Sequence, residues 1–224
     1  MTSTPTITYY LDVVSSWCLY ANRTWAELKK RYEGRVGFEW RISLIQPDDF
    51  PASEEQEKWF YRRSGLIMHS PVMLKTTWLE TENKGPWRYV TPNLVAEAGR
   101  DLGINDDRLH VALNRAALLE GRRVADMAEA VSIGAAAVGL DPTVLRAKAE
   151  SAEIRQRVEA STAEFLSHKI TQRPAFILQD PIGDKAVFSG LVTLEPLVAT
   201  LDAMLFDTAA YASHKAHFGT PPAA

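Results

Sequence analysis

The sequence predicts a mixed α/β protein in which a β-α-β unit and a β-β-α unit flank a long all-helical insertion. Three observations carry this reading. An apolar, β-rich run from Ile7 to Val14 gives way at Ser15-Ser16 to apolar residues spaced by three and four. Between Ala52 and Lys169 the punctuation is that of successive helices. After Arg173 short apolar runs separated by turn residues return, followed by one more helical face.

Taken in order, Ile7–Val14 reads as a strand with apolar residues on both faces, as expected of a central strand. Cys18, Ala21, Trp25, Leu28 and Tyr32 then form one helical stripe, with Arg23, Glu27, Lys30 and Arg31 opposite and Gly34 as its stop. Val36, Phe38, Trp40 and Ile42 alternate with Gly37, Glu39 and Arg41, which is the signature of a half-buried strand. The crossover is long enough for these two strands to run parallel. Pro47 to Pro51 breaks the pattern. In the insertion, Thr91-Pro92 and Asp141-Pro142 each read as an N-cap followed by proline in the first helical turn, and Gly103, Gly121 and Gly139 fall where helices should end. Pro174–Leu178 and Ala186–Phe188 then read as a hairpin about the turn residues Asp180–Asp184. Thr193 is placed to cap a helix bearing Leu194, Leu197, Val198, Leu201, Met204 and Leu205. The expected organisation is residues 6–46 with 170–206 as one unit, 47–169 as the helical insertion, and 207–224 as a loosely ordered tail.

Composition bounds the function. In 224 residues the net charge is −3, which argues against a nucleic-acid partner. No apolar run is as long as a membrane span, and the first six residues lack the basic and apolar regions of a secretory signal. One cysteine excludes an internal disulfide and suits a reducing, cytoplasmic location. The histidines lie apart or, as His214 and His217, without companion ligands, so no metal is expected.

The chemistry concentrates at Ser15-Ser16-Trp17-Cys18, where a strand delivers small polar residues to the first turn of a helix. A helix N-terminus carries unpaired N–H groups and a partial positive charge, which stabilise a thiolate or another anion. Ser15 serves such a site as an N-cap, worth about 1 kcal/mol to the helix, and as a hydrogen-bond donor to a bound thiolate. Cys18 lies on the apolar stripe, where a free cysteine behaves as a small hydrophobe.

This layout resembles the start of the DsbA-like thioredoxin-fold proteins, with Ser15 where their first cysteine stands. In that slot it is similar to the kappa-class glutathione transferases and 2-hydroxychromene-2-carboxylate isomerases, in which a serine serves the glutathione sulfur. The order of elements extends the resemblance from about Thr6 to Phe206. The resemblance implies Ser15 and Cys18 as the catalytic positions, with Ser16, Trp17, Arg173, Pro174 and Gly190 binding the thiol or substrate. It implies a cis Arg173–Pro174 bond opposite Ser15 and an insertion that covers the site. Arg173 replaces a small or apolar residue and either adds a cation to the cleft or points into solvent. Leu191 and Val192 occupy the slots of a polar pair that, in these families, holds the γ-glutamyl end of glutathione. Asn93 resembles an asparagine of the wider family. The insertion offers further pocket candidates in Trp59, Tyr61, Trp78, Trp87 and Tyr89, with Arg62, Arg63 and His69, although each singly reads as core or surface.

The expected function is that of an enzyme using glutathione or another low-molecular-weight thiol on a small electrophilic or aromatic substrate. Transferase, isomerase and thiol-dependent oxidoreductase chemistry all fit one such site. Two alternatives stand beside it: a one-cysteine thiol-disulfide oxidoreductase, and a non-catalytic thioredoxin-fold binding module. No nucleic acid or membrane is expected as a partner, and a homodimer is compatible with the sequence.

Overall fold

The computed structural model describes residues 4–69 and 89–219. Four strands form one sheet: β1 (Thr6–Leu11), β2 (Gly37–Ile42), β3 (Ala175–Gln179) and β4 (Lys185–Ser189). Their order is β2-β1-β3-β4, with β1 parallel to β2 and antiparallel to β3, and β3 antiparallel to β4. The strand next to the site is therefore internal, as its two apolar faces required. On one face Tyr9 stacks on Phe176 at 4.9 Å and meets Trp25 at 5.2 Å. On the other, Tyr10 lies against Phe165 at 5.6 Å. Adjacent residues of one strand thus serve opposite layers.

Helix α1 (Ser16–Arg31) joins β1 to β2. The insertion contains α2 (Glu54–Ile67), α3 (Thr91–Asp101), α4 (Arg108–Arg115), α5 (Met127–Val138), α6 (Pro142–Ala149) and α7 (Ala152–Ser167). A 3-10 turn, Pro47–Asp49, precedes α2, and a π-helical turn, Ala116–Glu120, follows α4. No strand interrupts the insertion among the described residues. Trp78 and Trp87 lie outside them. The core of the sheet unit continues without a break into the insertion, because Leu94, Val95, Leu109 and Leu113 belong to the same buried cluster as Ile7, Tyr9 and Trp25. Gly99 permits part of this packing: a Cβ there would fall 2.4 Å from Leu109 Cδ1.

Some sequence-level expectations move. β1 stops at Leu11 rather than Val14, because the Asp12 carboxylate accepts from Val14 N and the Asp12 carbonyl from Ser15 N, which turns the chain. Thr91 is already helical and Val90 holds the cap position without a side-chain bond. Thr193 does not cap the last helix, α8 (Glu195–Phe218), whose cap position is Leu194. Asp141 does cap α6, accepting from Thr143 N at 2.7 Å. The tail is not loosely ordered over most of its length, since α8 runs to Phe218. Residues 207–218 include four alanines and neither glycine nor proline, so propensity sustains the helix until Gly219 even though this half is almost wholly exposed.

One polar tie fastens the insertion to α1. Asp107, at the start of α4, accepts from Trp25 Nε1 at 3.1 Å and Lys29 Nζ at 2.9 Å, and lies 3.4 Å from His110 Nε2. Burial pushes this carboxyl upward, but the bonds to His110 and Lys29 outweigh it and bring its pKa to about 2. A depressed acid stabilises the fold above its ordinary pKa and loses that contribution as pH falls through the folded value. Asp107→Asn should therefore cost about 1–2 kcal/mol at pH 5 in urea denaturation. The gap to wild type should narrow as pH falls toward 2; a gap independent of pH would show that the charge plays no part.

Candidate active site

The strand-to-helix junction, residues 12–15, is held from three sides. Asp12 is 1% exposed, and its carboxylate accepts from Val14 N at 2.9 Å, Ile45 N at 2.8 Å and Asn93 Nδ2 at 3.1 Å. Burial raises its pKa, while the bonds from Ile45, Val14 and Asn93 and the charge of Arg173 oppose the rise. Asn93 also accepts from Val13 N at 3.0 Å. Asn114, at the end of α4, donates to the carbonyl of Val13 at 2.6 Å. The insertion thus satisfies a backbone donor and a backbone acceptor on the turn that carries Ser15.

Ser15 caps α1. Its backbone is extended (φ −78°, ψ 122°), and its Oγ accepts from Cys18 N at 3.3 Å. Its residual surface borders a cavity of about 920 Å³. Ser16 and Trp17 line the same cavity. Cys18 faces inward and is 2% exposed. Burial pushes its thiol up to about 11; bonds with the Ser15 hydroxyl, the Asp12 backbone and the Tyr9 hydroxyl work against that rise, and the charge of Asp12 adds to it. Two residues three apart in one turn therefore have different surroundings: Ser15 meets the cavity and Cys18 the core.

The Arg173–Pro174 peptide is cis. Arg173 borders the cavity but is neither turned into solvent nor free in the cleft. It donates to the Ser43 carbonyl at 2.7 Å, to the Thr171 carbonyl at 3.0 Å and to the Leu44 carbonyl, with its guanidinium 4.7 Å from the Phe165 ring centroid. A long cation whose donors meet three carbonyls is a brace. It holds the loop before β3 against the exit of β2. Gly190 acts on the same loop from the other side, donating to the Pro174 carbonyl at 2.8 Å. Its φ of +73° suits glycine, and a Cβ there would sit 3.3 Å from Gln172 Cβ. Thr171, Gln172 and Arg173 line the cavity, whereas Pro174 and Gly190, expected to bind the thiol or substrate, do not. Leu191 and Val192 pack on the core, and the Val192 carbonyl accepts from Thr24 Oγ1 at 2.6 Å.

The facing wall is Ile45, Asp48 to Phe50 and α2. Trp59, Tyr61 and Arg63 line it, with the Arg63 guanidinium 4.9 Å from the Trp59 ring centroid. Tyr89 contributes indirectly, stacking on Phe50 at 3.9 Å. Arg62 and His69 are exposed. Among the described residues no cluster of ligands fit for a metal ion occurs, and no helix is long and apolar enough to cross a membrane. Sequence reasoning missed Asp12 and Asn114. A charge inside an apolar strand run and an amide beside the stripe Leu109, Leu113, Ala116 were the available signals.

The position of Cys18 makes a direct expectation. Thiolate is the reactive form, and a pKa near 11 instead of about 8.5 lowers its fraction at pH 8 by roughly two orders of magnitude. An aromatic disulfide reagent at pH 8 should label native protein slowly and label it fully once denaturant is added. Complete labelling of the native protein on mixing would mean that the thiol is open to solvent.

No protein-family model matches the chain, and no curated protein matches it. Solved structures do. A protein assigned as a disulfide isomerase in Nitrosomonas europaea superposes with a TM-score of 0.72 at 18% identity, over 91% of this chain and 98% of that one. The cytosolic disulfide reductase DsbM of Pseudomonas aeruginosa gives 0.66 at 17% identity, over 89% and 98%, and has also been solved with GSH. DsbA of Pseudomonas aeruginosa gives 0.59 at 13%, over 95% and 88%. At these identities the likeness is one of fold, and it runs over nearly the whole of each chain. The chain is a protein of the DsbA-like thioredoxin fold.

Proposed function

We propose that this protein is an enzyme that binds glutathione or a similar small thiol in the Ser15–Arg173 cavity and uses it on a small electrophilic or aromatic substrate. The observation that carries the reading is the split between Ser15 and Cys18. The residue at the helix terminus that borders the cavity is a hydroxyl, and the thiol is buried with a raised pKa. The nucleophile must then arrive with the ligand. A thiolate at the α1 terminus would sit in the positive end of the helix dipole. Ser15 Oγ already accepts from Cys18 N, so its proton remains to donate. In the free protein that hydroxyl also interacts with the Cys18 thiol, a weak acceptor. An incoming thiolate is the stronger acceptor and would draw it. Trp17, Phe50 and Trp59 give the cavity the aromatic lining that a small organic substrate needs.

The neighbour solved with GSH supports a thiol of this kind, and the neighbour described as cytosolic agrees with a single cysteine in a reducing compartment. Apolar Leu191 and Val192 would leave the γ-glutamyl ammonium without a side-chain partner at that turn, so the thiol would bind chiefly through its sulfur and backbone. Disulfide reductase and isomerase names among the neighbours favour a second reading, a thiol-disulfide oxidoreductase. With one cysteine in the chain the reaction would have to pass through a mixed disulfide at Cys18, which burial opposes.

Calorimetry with glutathione, followed by turnover of an activated chloronitrobenzene, tests the proposal. Ser15→Ala should lower the rate roughly ten- to a hundredfold, the loss expected on removing one hydrogen bond to a charged group. Cys18→Ser should lower it much less. Absence of glutathione binding would remove the reading, binding without turnover would favour the binding module, and equal rates for Ser15→Ala and wild type would retire Ser15 as donor.

A further inference from the structure

We infer that Asn114 is a positioning residue for Ser15: a side chain from the helical insertion that fixes the cap on which the acidity of a bound thiol depends. The inference rests on the thiol-binding reading above. Asn114 is 2% exposed and lies one residue before the end of α4, where the helix passes into the π-helical turn. Its Nδ2 is 2.6 Å from the Val13 carbonyl and 3.5 Å from the Ser15 carbonyl. One amide group therefore spans the turn on both sides of Val14.

The orientation of that amide is determined by its neighbours. The Tyr9 hydroxyl donates to the Cys18 carbonyl at 3.3 Å and reaches Asn22 Oδ1 at 3.5 Å. Asn22 Nδ2 donates to Asn114 Oδ1 at 3.1 Å. The Val13 and Ser15 carbonyls can only accept, so Asn114 turns its Nδ2 toward them and its Oδ1 toward Asn22, whose own Oδ1 is left to face the Tyr9 hydroxyl. The relay starts in the central strand, passes through α1 and α4, and ends on the residue that carries the hydroxyl.

The Ser15 carbonyl also accepts the first bond of α1, from Leu19 N at 3.1 Å, while Ser15 N donates to the Asp12 carbonyl at 3.1 Å. Rotation of the peptide at Ser15 would swing Oγ away from Cys18 N and out of line with the cavity. Asn114 resists that rotation from the carbonyl side. Its loss leaves the Val13 carbonyl buried without this donor and the cap less constrained. A residue that only fastened the insertion to the sheet would change stability and leave the ligand's ionisation alone. A residue that aims Ser15 changes both.

The ionisation of bound glutathione, followed by the ultraviolet absorbance of its thiolate across pH, separates these. Asn114→Ala should raise the thiol pKa in the complex by about one unit, a tenfold change in its ionisation constant. It should lower kcat with little change in KM. In the Ser15→Ala background the same substitution should leave the thiol pKa where Ser15→Ala alone puts it, because its effect passes through the missing hydroxyl. Asn22→Ala, at a half-buried position that leaves both Asn114 and Ser15 in place, should shift the pKa in the same direction by less. It serves also if Asn114→Ala does not fold. An unchanged thiol pKa in the Asn114 and Asn22 variants, with a raised one in Ser15→Ala, would overturn the role of Asn114 alone. Additive shifts in the double variant would overturn it as well. Failure of wild type to bind glutathione would overturn the thiol reading and this inference with it.

Discussion

A buried carboxylate at the end of the central strand is the constraint from which the site follows. Asp12 lies where β1 stops, and an isolated charge in such a place costs several kcal/mol. The structure meets that cost with three donors drawn from three elements: the turn itself, the chain leaving β2, and α3. Each donor fixes a part of the site. The bond from Val14 shapes the turn that delivers Ser15. The bond from Ile45 brings the facing wall of the cavity to the sheet. The bond from Asn93 docks the insertion, which in turn supplies Asn114. Replacing the carboxylate with an amide would set a donor against a donor at one of these contacts, so the charge and the geometry are a single requirement.

A second polar brace mirrors the first across the cavity. Arg173 spans from the loop before β3 to the carbonyls of Ser43 and Leu44, and Gly190 holds the Pro174 carbonyl from behind. Residues 43–45 lie between the two braces, since Ile45 N serves Asp12 and the neighbouring carbonyls serve Arg173. Helix α7 closes the same segment from outside: Thr162 Oγ1 accepts from Leu44 N, and Ser161 Oγ donates to the Ile42 carbonyl. The carbonyls of Ser43, Leu44 and Pro174 near the cavity are therefore already engaged. The Ser15 hydroxyl, beside them, accepts from Cys18 N and meets only the weak Cys18 thiol with its proton.

Elements whose physics is local were legible in the sequence. β2 follows from strict alternation, α1 from its stripe, and the parallel pairing from the length of the crossover. The Asp141 cap depends only on a carboxylate and the next three residues. What depended on distant partners was not legible. Arg173 in isolation is a surface cation; only the carbonyls of residues 43 and 44, some 130 positions away, make it structural. Asn114 beside an apolar stripe signals an inward-facing amide, but not that its partners are residues 13 and 15, some 100 positions away. The expectation of a loose tail failed for a different reason. It weighed the position at the end of the chain and Pro221-Pro222, and neglected the alanine content, which keeps an exposed helix continuous from a well-anchored start. That start is fixed by Leu197 and Leu201 and by the Tyr32 hydroxyl, which donates to the Val198 carbonyl and to Asp202.

The difference between positions 15 and 18 also explains how one scaffold can serve another chemistry. The field at a helix terminus does not distinguish a protein's own thiolate from one that is brought in; it favours whichever anion stands there. With cysteine at both positions, the outer sulfur would feel that field and the inner one would close the disulfide. With serine outside, the field remains and its occupant is absent, while the inner sulfur lacks both a partner and an exit to solvent. Burial then turns Cys18 into packing, its thiol held in the neutral form that a small hydrophobe requires. The terminus, the hydroxyl and the braced walls persist without it. A helix terminus of this kind suits an anion small enough to reach the first turn of α1, and in the function proposed above that anion is a thiolate carried in by a ligand.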